Sequence, residues 1–508
     1  MKKSRFSGTH SGSHVRSKSI PRRRRKRLGI ANKLLIFLLS VLVITTIGLA
    51  VSAAKPQNWF SGVKATPTPT TSLNSQSSAT SQLSATSKPT GITSNASSAV
   101  SGPSKPGGTS SPNASPEPTM PLKPIPTAVL GVPGKASIIY TGDVLMHDAI
   151  INGGLKANGT YDYNYLFADT KSLISGADYS ITDFEGVMSG SPPYTGYPSF
   201  NAPDAIATAI KNAGYDMVTT ANNHGFDKGF AAFKHTPTVF TDIGVKVIGS
   251  RPKITDPKFH IVNINGIKFG FSAYTYETKG TSTQRAVNSI LIPAEANALL
   301  DSFNPYRQDR LAADKKGMAQ RVRLMREAGA ECVVFVMHWG DEYMTSSNTY
   351  QRDLARFLAD EGVDIIFANH PHVIQEISVI ASAKSGKKTP VYYSTGNFVS
   401  NMPYDANKTT NGKAEDGIIA RIEAVRDNNG KITVTKAEYI GVYVYKQDIQ
   451  GKRIHKVVPV RQYLINSSAY ENFADKNLIS ASRKRINELL LPSTGIHNGI
   501  LIGEYQAN

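Results

Sequence analysis

Asp216-Met-Val-Thr-Thr-Ala-Asn-Asn-His224-Gly is a short β-branched run that stops on two amides and an imidazole. Three other stretches repeat its layout, and the repetition decides the fold. Each opens with an apolar-periodic helix pattern that ends at a glycine. It continues as a short apolar strand and closes on a residue able to bind metal or move protons. Lys211-Asn-Ala-Gly214 precedes MVTTANNH, and Arg326-Glu-Ala-Gly329 precedes CVVFVMHWG. Ala359-Asp-Glu-Gly362 precedes IIFANHPH, and Ile174-Ser-Gly176 precedes YSITDFE. From the glycine to Glu185, Asn223, His338 or His370 takes roughly nine residues, the length of a tight helix-to-strand turn plus one strand. Helix, glycine stop, strand and polar tip in repetition is the grammar of an α/β sheet with crossover helices. Such sheets bind ligands beyond the carboxyl ends of their strands. Four segments distant in sequence are thereby expected to deliver Glu, Asn, His and His to one crevice.

The first 135 of the 508 residues are unlike the rest. Residues 1–33 carry twelve Lys and Arg and no acid, ending the basic run Pro21-Arg-Arg-Arg-Arg-Lys-Arg27 shortly before an apolar stretch. The formal charge of +19 is therefore mostly a property of the tail, and roughly +2 is left for residues 136–508. No nucleic-acid footprint on the globular part is indicated. Leu34–Ala54 is uncharged and, at about 21 residues, long enough to span a hydrocarbon core. The positive charges before it place the N-terminus in the cytoplasm and the rest of the chain outside, a single-pass protein of the cell membrane. A signal peptide cleaved near Val51-Ser-Ala53 is the rival reading, and the length of the apolar run favours an anchor. Residues 55–135 are rich in Ser, Thr, Pro and Gly and poor in large apolar side chains, the composition of a disordered linker. Cys332, the one cysteine, sits inside CVVFV and reads as a small core residue.

The globular part, residues 136–508, opens on Ala136-Ser-Ile-Ile-Tyr-Thr-Gly-Asp143, a strand that delivers an acid after a glycine. Val245–Gly249 and Ile267–Tyr274 read as further strands, and Val391–Phe398 as a strand with Asn397 at its tip. Glu277–Arg310 is polar and poor in periodicity, so a mobile lid or substrate loop is expected. Gly417–Val425 and Ile432–Tyr445 alternate as an antiparallel pair, and a helix near Asn477–Leu490 looks peripheral.

The tips sum to Asp143, His147, Glu185, Asn222, Asn223, His224, His338, His370, His372 and Asn397. Imidazoles and carboxylates are the ligand set for Mn, Zn or Fe. Two such ions side by side would clamp a phosphoryl or carbonyl group during hydrolysis. Singly, each residue has a plainer reading. His224 follows two Asn as a helix N-cap region would, and Asp143 after Thr-Gly could cap a turn. Glu185 could be a solvated carboxylate, His338 a packed core histidine beside Trp339, and His370-Pro-His372 a rigid turn. Asn397 after Gly396 is placed at the rim, and His147 reads as structural. At the ends of separate strands, jointly, they point to one site.

Six ordered motifs, TGD at 141–143, DFEG at 183–186, ANNHGFDKG at 221–229, MHWGDEY at 337–343, NHPHVIQ at 369–375 and YSTGNFV at 393–399, resemble those of CapA-type capsule and poly-γ-glutamate synthesis proteins. The resemblance covers roughly residues 136–400. It implies a metallophosphoesterase-like fold, a four-layer αββα sandwich with a di-metal centre at the strand ends. Carried over, it implies Asp143 as the first-strand metal acid, Glu185 as a bridging acid and Asn223 as a metal-binding amide. His338, His370 and His372 would complete the metal shell, and His224 would donate a proton. Asn222 and Asn397, from their own place at the strand tips, are expected to face substrate. Two departures stand out. The phosphoesterase Asp-x-His is missing, because Leu145 occupies the second position after Asp143, and Asn369 replaces an imidazole before His370. The function implied is a membrane-anchored, extracellular protein of capsule or poly-γ-glutamate biosynthesis with a metal-dependent hydrolase site. Its partners would be synthase subunits and an anionic wall polymer. The alternative is a non-catalytic accessory subunit that guides that polymer during export.

Overall fold

Gly134–Val144 forms the first strand in a computed structural model that describes residues 134–402, 411–466, 468 and 475–506. The basic tail, the apolar run Leu34–Ala54 and nearly all of the linker lie outside the described residues. Among the described residues no helix is long and apolar enough to cross a membrane.

Side chains along the first strand alternate between two cores, as a pleated strand requires. Ile138 and Tyr140 point inward and share one buried cluster with Phe269, Phe271, Val334, Val336, Ile365 and Phe367 of a second sheet. Ile139 and Val144 point outward, against Ile206 and Ile210 of the helix Ala205–Ala213. The second sheet mirrors this arrangement. Val333, Phe335 and Met337 face outward onto Met318, Val322 and Met325 of the helix Gln308–Glu327, with Leu354 and Leu358 of Thr349–Asp360. The layers are thus helix, sheet, sheet, helix. Each fully buried Phe of the central core contributes ~1.5–3 kcal/mol to holding the sheets together.

The first sheet runs Gly495–His497, Ile500–Glu504, Ile432–Ile449, Asp416–Arg426, Gly134–Val144, Tyr179–Phe184, Met217–Thr219, Lys246–Ile248. The second runs Ile377–Ala381, Lys388–Tyr392, Ile365–Asn369, Cys332–His338, Ile267–Tyr276, His260–Ile264. The strands expected from the helix–glycine–strand repeats lie parallel, so their carboxyl ends align. Asp143 pairs in register with Asp183, and His338 with Asn369. Gly214, Gly329 and Gly362 end their helices with positive φ (107°, 93° and 98°), where a glycine costs least. Gly176 ends its helix at φ −84°, so the fourth repeat stops without the left-handed cap.

Three expectations change. Val391–Phe398 is two strands in different sheets: Lys388–Tyr392 belongs to the second, whereas Asn397–Val399 crosses over to lie parallel to the first strand of the first. The crossing turns at Gly396 (φ +70°) and needs Gly142, where a Cβ would collide with the Gly396 carbonyl oxygen. Glu277–Arg310 packs down instead of forming a lid, because Val287, Ile292, Ala296, Leu299 and Leu300 bury against Ala221, Phe226 and Phe233. The C-terminal helix Lys476–Leu490 is not peripheral either. Its Ile479, Ile486 and Leu490 enter the central core, and Ile500–Glu504 adds a parallel strand beside Ile432–Ile449. The antiparallel pair Asp416–Arg426 and Ile432–Ile449 forms as expected.

Candidate metal centre

The carboxyl ends of both sheets converge on a buried nest of acids and imidazoles. The first sheet supplies Asp143 and Asp183 from its strands and Glu185 from the residue after the strand Tyr179–Phe184. Asn223 and His224 follow the strand Met217–Thr219. From the second sheet come His338, at the end of its strand, and His370 and His372, just beyond Asn369. All of these residues are buried. His338 bridges the sheets, with Nδ1 2.9 Å from Asp183 Oδ2, Nε2 2.8 Å from Asn223 Oδ1 and 3.5 Å from Glu185 Oε1. His372 Nδ1 lies 3.0 Å from Asn397 Oδ1, 3.2 Å from Asp143 Oδ2 and 3.7 Å from Glu185 Oε2. Asn369 donates from Nδ2 to Asp143 and, at 3.3 Å, to Asp183, while the Tyr140 hydroxyl donates to its Oδ1.

Three buried carboxylates side by side are electrostatically expensive, and among the described residues none of them pairs with Lys or Arg. Their positive partners are imidazoles. Burial pushes Asp183 up to about 7 against the pull of His338, and burial together with the Glu185 charge raises Asp143. Burial acts on Glu185 in the same direction, but His372 and His338 outweigh it and hold that carboxyl well below the usual range. Burial alone would deprotonate both histidines. Glu185 and Asp183 instead lift His338 to about 10, and Glu185 and Asp143 lift His372 to about 9. Burial and the His338 charge push His370 the other way, well below its ordinary value. His370 is therefore a neutral ring.

Asp183 Oδ1 and His370 Nδ1 have no hydrogen-bond partner, and Asp143 Oδ2 and both Glu185 oxygens have only the ion-pair contacts with His372 Nδ1 and His338 Nε2 and no hydrogen bond. Buried oxygens and a neutral imidazole nitrogen that make no hydrogen bond are what a divalent cation requires. Asp143–Asp183–His338, Glu185–His338–His370 and Asp143–Glu185–His372 each place three ligand atoms within 4.8 Å of one another. The donor set therefore fits a divalent metal.

Of the residues singled out from sequence, Asp143, Glu185, Asn223, His338, His370 and His372 meet in this nest. His224 stands beside it, its ring edge-on to Phe200 at 4.8 Å and its Nδ1 2.8 Å from Asp227 Oδ2. Asn222 does not present its side chain, since Nδ2 donates to the Phe184 carbonyl and Oδ1 accepts from the His224 amide. Asn397 is fully buried beside His372 and not at a rim: Nδ2 donates to the His372 and Ala414 carbonyls while Oδ1 faces His372 Nδ1. His147 accepts from the Asn401 amide, in keeping with a structural role, and Leu145 is packed away. Two members are new. Asp183 lies two residues before Glu185, on the same strand face, and Asp227 lies three after His224, so both had a sequence signal in spacing.

Stacked mixed sheets with a carboxylate and imidazole nest at their strand ends define the class: an α/β sandwich equipped to hold a divalent cation. Residues 137–402, just over half of the chain, match the family described as bacterial capsule synthesis protein PGA_cap, and the chain belongs to that family. It is 26% identical over 283 residues to the capsule biosynthesis protein CapA of Bacillus anthracis, covering 54% of this chain and 62% of that protein. It is 23% identical over 305 residues to the PGA biosynthesis protein CapA of Bacillus subtilis (strain 168), covering 59% and 70%. The match thus spans less than two thirds of the Bacillus anthracis protein. Among solved structures, the NAD nucleotidase NadN of Haemophilus influenzae is similar at TM-score 0.36 and 11% identity, covering 70% of this chain and 68% of that one.

Proposed function

We propose that this protein is a membrane-anchored, extracellular component of capsule or poly-γ-glutamate biosynthesis whose crevice is a divalent-metal hydrolase centre. The observation that carries the reading is a set of buried polar atoms without a hydrogen bond, on Asp143, Asp183, Glu185 and His370, within a cluster whose acid and imidazole ligand atoms lie in threes within 4.8 Å of one another. Asp143, Asp183, Glu185, Asn223, His338, His370 and His372 would hold one or two ions of Mn, Zn or Fe. When bound, such ions polarise a phosphoryl or carbonyl oxygen and acidify water. The protein's own groups do the rest. Asp227 accepts from His224 Nδ1, which leaves His224 Nε2 as the nitrogen that takes up a proton and releases it to a leaving group. Asn397 orients the His372 ring through Nδ1, the nitrogen that also lies nearest Asp143 and Glu185, and Asp183 orients His338 through its Nδ1. The bond would be a phosphoester or a γ-glutamyl or cell-wall linkage, with synthase subunits and an anionic wall polymer as partners. Leu34–Ala54 is the proposed anchor.

Elemental analysis of the purified full chain tests this. About one or two ions per chain are expected, falling sharply in a folded His338→Ala variant. A wild-type chain that takes up no metal sinks the reading. One observation favours the second reading, a non-catalytic subunit that guides polymer: the Asn369 amide occupies Asp143 and Asp183 oxygens that a second ion would need. Full complementation of polymer production by His224→Ala would select it.

A further inference from the structure

We propose that Glu342 completes a separate, outer cation position with His370 and His372 at the mouth of the crevice. The inference rests on the reading of the buried nest as a metal centre and extends it to a residue outside that nest. One ligand atom from each of Glu342, His370 and His372 lies within 4.8 Å of the others. Glu342 is exposed, and its carboxylate makes no hydrogen bond or ion pair among the described residues. The Nδ1 of His370, a residue 3% exposed, has no hydrogen-bond partner.

The loop that carries Glu342 is built, not loose. Gly340 turns at φ +104° with its amide on the Tyr350 hydroxyl, and Asp341 Oδ2 accepts from Asn348 Nδ2 at 2.8 Å. Tyr343 follows at φ +64°, a costly conformation for a tyrosine, with its amide donating to the Pro371 carbonyl at 2.8 Å. That bond ties the residue after Glu342 to the proline between His370 and His372. The chain is therefore anchored on both sides of Glu342, one ligand atom of which lies within 4.8 Å of one from each ring.

One carboxylate and two imidazoles with an open side suit Mn, Fe or Zn. Glu342 faces water whereas the inner ligands do not, so an ion here exchanges more readily and binds less tightly than one among Asp143, Asp183, Glu185 and His338. His370 and His372 each also belong to an inner triad, so the two positions share ligands. Filling the outer one draws on the same rings.

Mn²⁺ titration of the full chain in detergent, with free Mn²⁺ read by electron paramagnetic resonance, tests the proposal. Wild type should bind in two affinity classes. Glu342→Gln should weaken the looser class at least tenfold and leave the tighter one in place, and His338→Ala should remove the tighter one. A Glu342→Gln isotherm that superimposes on wild type overturns the outer position while leaving the inner centre standing. A wild-type chain that binds no Mn²⁺ overturns both. Lower polymer production by Glu342→Gln with an unchanged isotherm makes Glu342 a substrate contact and also overturns the outer cation position.

Discussion

Acid should loosen this protein from behind the metal nest, and His455 is where the effect is isolated. His455 is fully buried, with Nε2 2.8 Å from Asn401 Oδ1, and the Asn401 amide in turn donates to His147 Nδ1 at 3.2 Å. Asn401 lies two residues past the strand Asn397–Val399, and Asn397 is the residue that fixes His372. Burial, reinforced by Lys446, His147 and Arg453, pushes His455 down to about 3. A histidine whose folded value lies below its unfolded one of 6.5 contributes stability that is complete above pH 6.5. That stability drains away as pH falls through the folded value. Between pH 7 and pH 4 the loss from His455 alone works out at about 3 kcal/mol, a large part of a domain's net stability. Asp416, which burial raises to about 6 despite its pairing with Arg485, runs the opposite way and gains stability over much of the same range. The wild-type curve therefore mixes signs. The clean measurement is the difference between wild type and His455→Gln, whose amide still donates to Asn401 but carries no titratable proton. Urea unfolding at pH 7, 5.5 and 4 should show the variant losing about 3 kcal/mol less than wild type on acidification. Parallel curves for the two proteins would refute the reasoning.

Two further predictions concern groups that the sequence did not single out. Asp227→Asn removes the carboxylate that holds His224 Nδ1 and the Phe200 amide, each at 2.8 Å; turnover should fall by about 10²-fold or more at unchanged metal content, and unchanged turnover would remove His224 from the chemistry. Asp301→Ala strips the shared counter-charge from two buried guanidinium groups, Arg251 at 2.9 Å and Arg321 at 3.1 Å. Chemical unfolding should register a loss of ~3–5 kcal/mol, and a variant as stable as wild type would show that the two Arg find other partners.

The helix–glycine–strand repeats were legible because their information is local. Period-two and helical alternation and a left-handed glycine are written within some twenty residues, and the sheets then align the tips without further instruction. Destinations of amides were not legible. Asn222 and Asn397 read as substrate-facing in sequence, yet Nδ2 of Asn222 goes to the Phe184 carbonyl and Nδ2 of Asn397 to the His372 and Ala414 carbonyls, partners that only the folded chain brings near. The crossing of Asn397–Val399 between sheets depends on Gly142 meeting Gly396, a contact across more than 250 residues. Glu277–Arg310 misled for a different reason: its core residues Val287, Ile292, Ala296, Leu299 and Leu300 are few among polar neighbours, and its Arg285 is neutralised by a Glu277 that is buried only in the folded chain. Asp183, by contrast, could have been found. An acid at i and another at i+2 on an otherwise apolar strand face one way, so Glu185 and Asp183 imply each other.

The division of the nest between the sheets explains how one sequence keeps three carboxylates buried. Asp143, Asp183 and Glu185 come from the first sheet, while His338, His370 and His372 come from the second, so closure of the central core is itself what neutralises the acids. Counted with all three carboxyls ionised and His338 and His372 protonated, the nest carries a formal charge of minus one. Exchange of those two protons for one divalent cation leaves that charge unchanged, so the histidines hold the place of an ion without destabilising the fold. A second divalent cation would make the nest net positive, which suits an anionic group at its mouth. Asn369 sits where this choice is made, its amide donating to the carboxylates of Asp143 and Asp183 and its carbonyl held by Tyr140. A neutral amide at that point favours the singly filled nest, because it takes one oxygen each from Asp143 and Asp183 and adds no charge of its own.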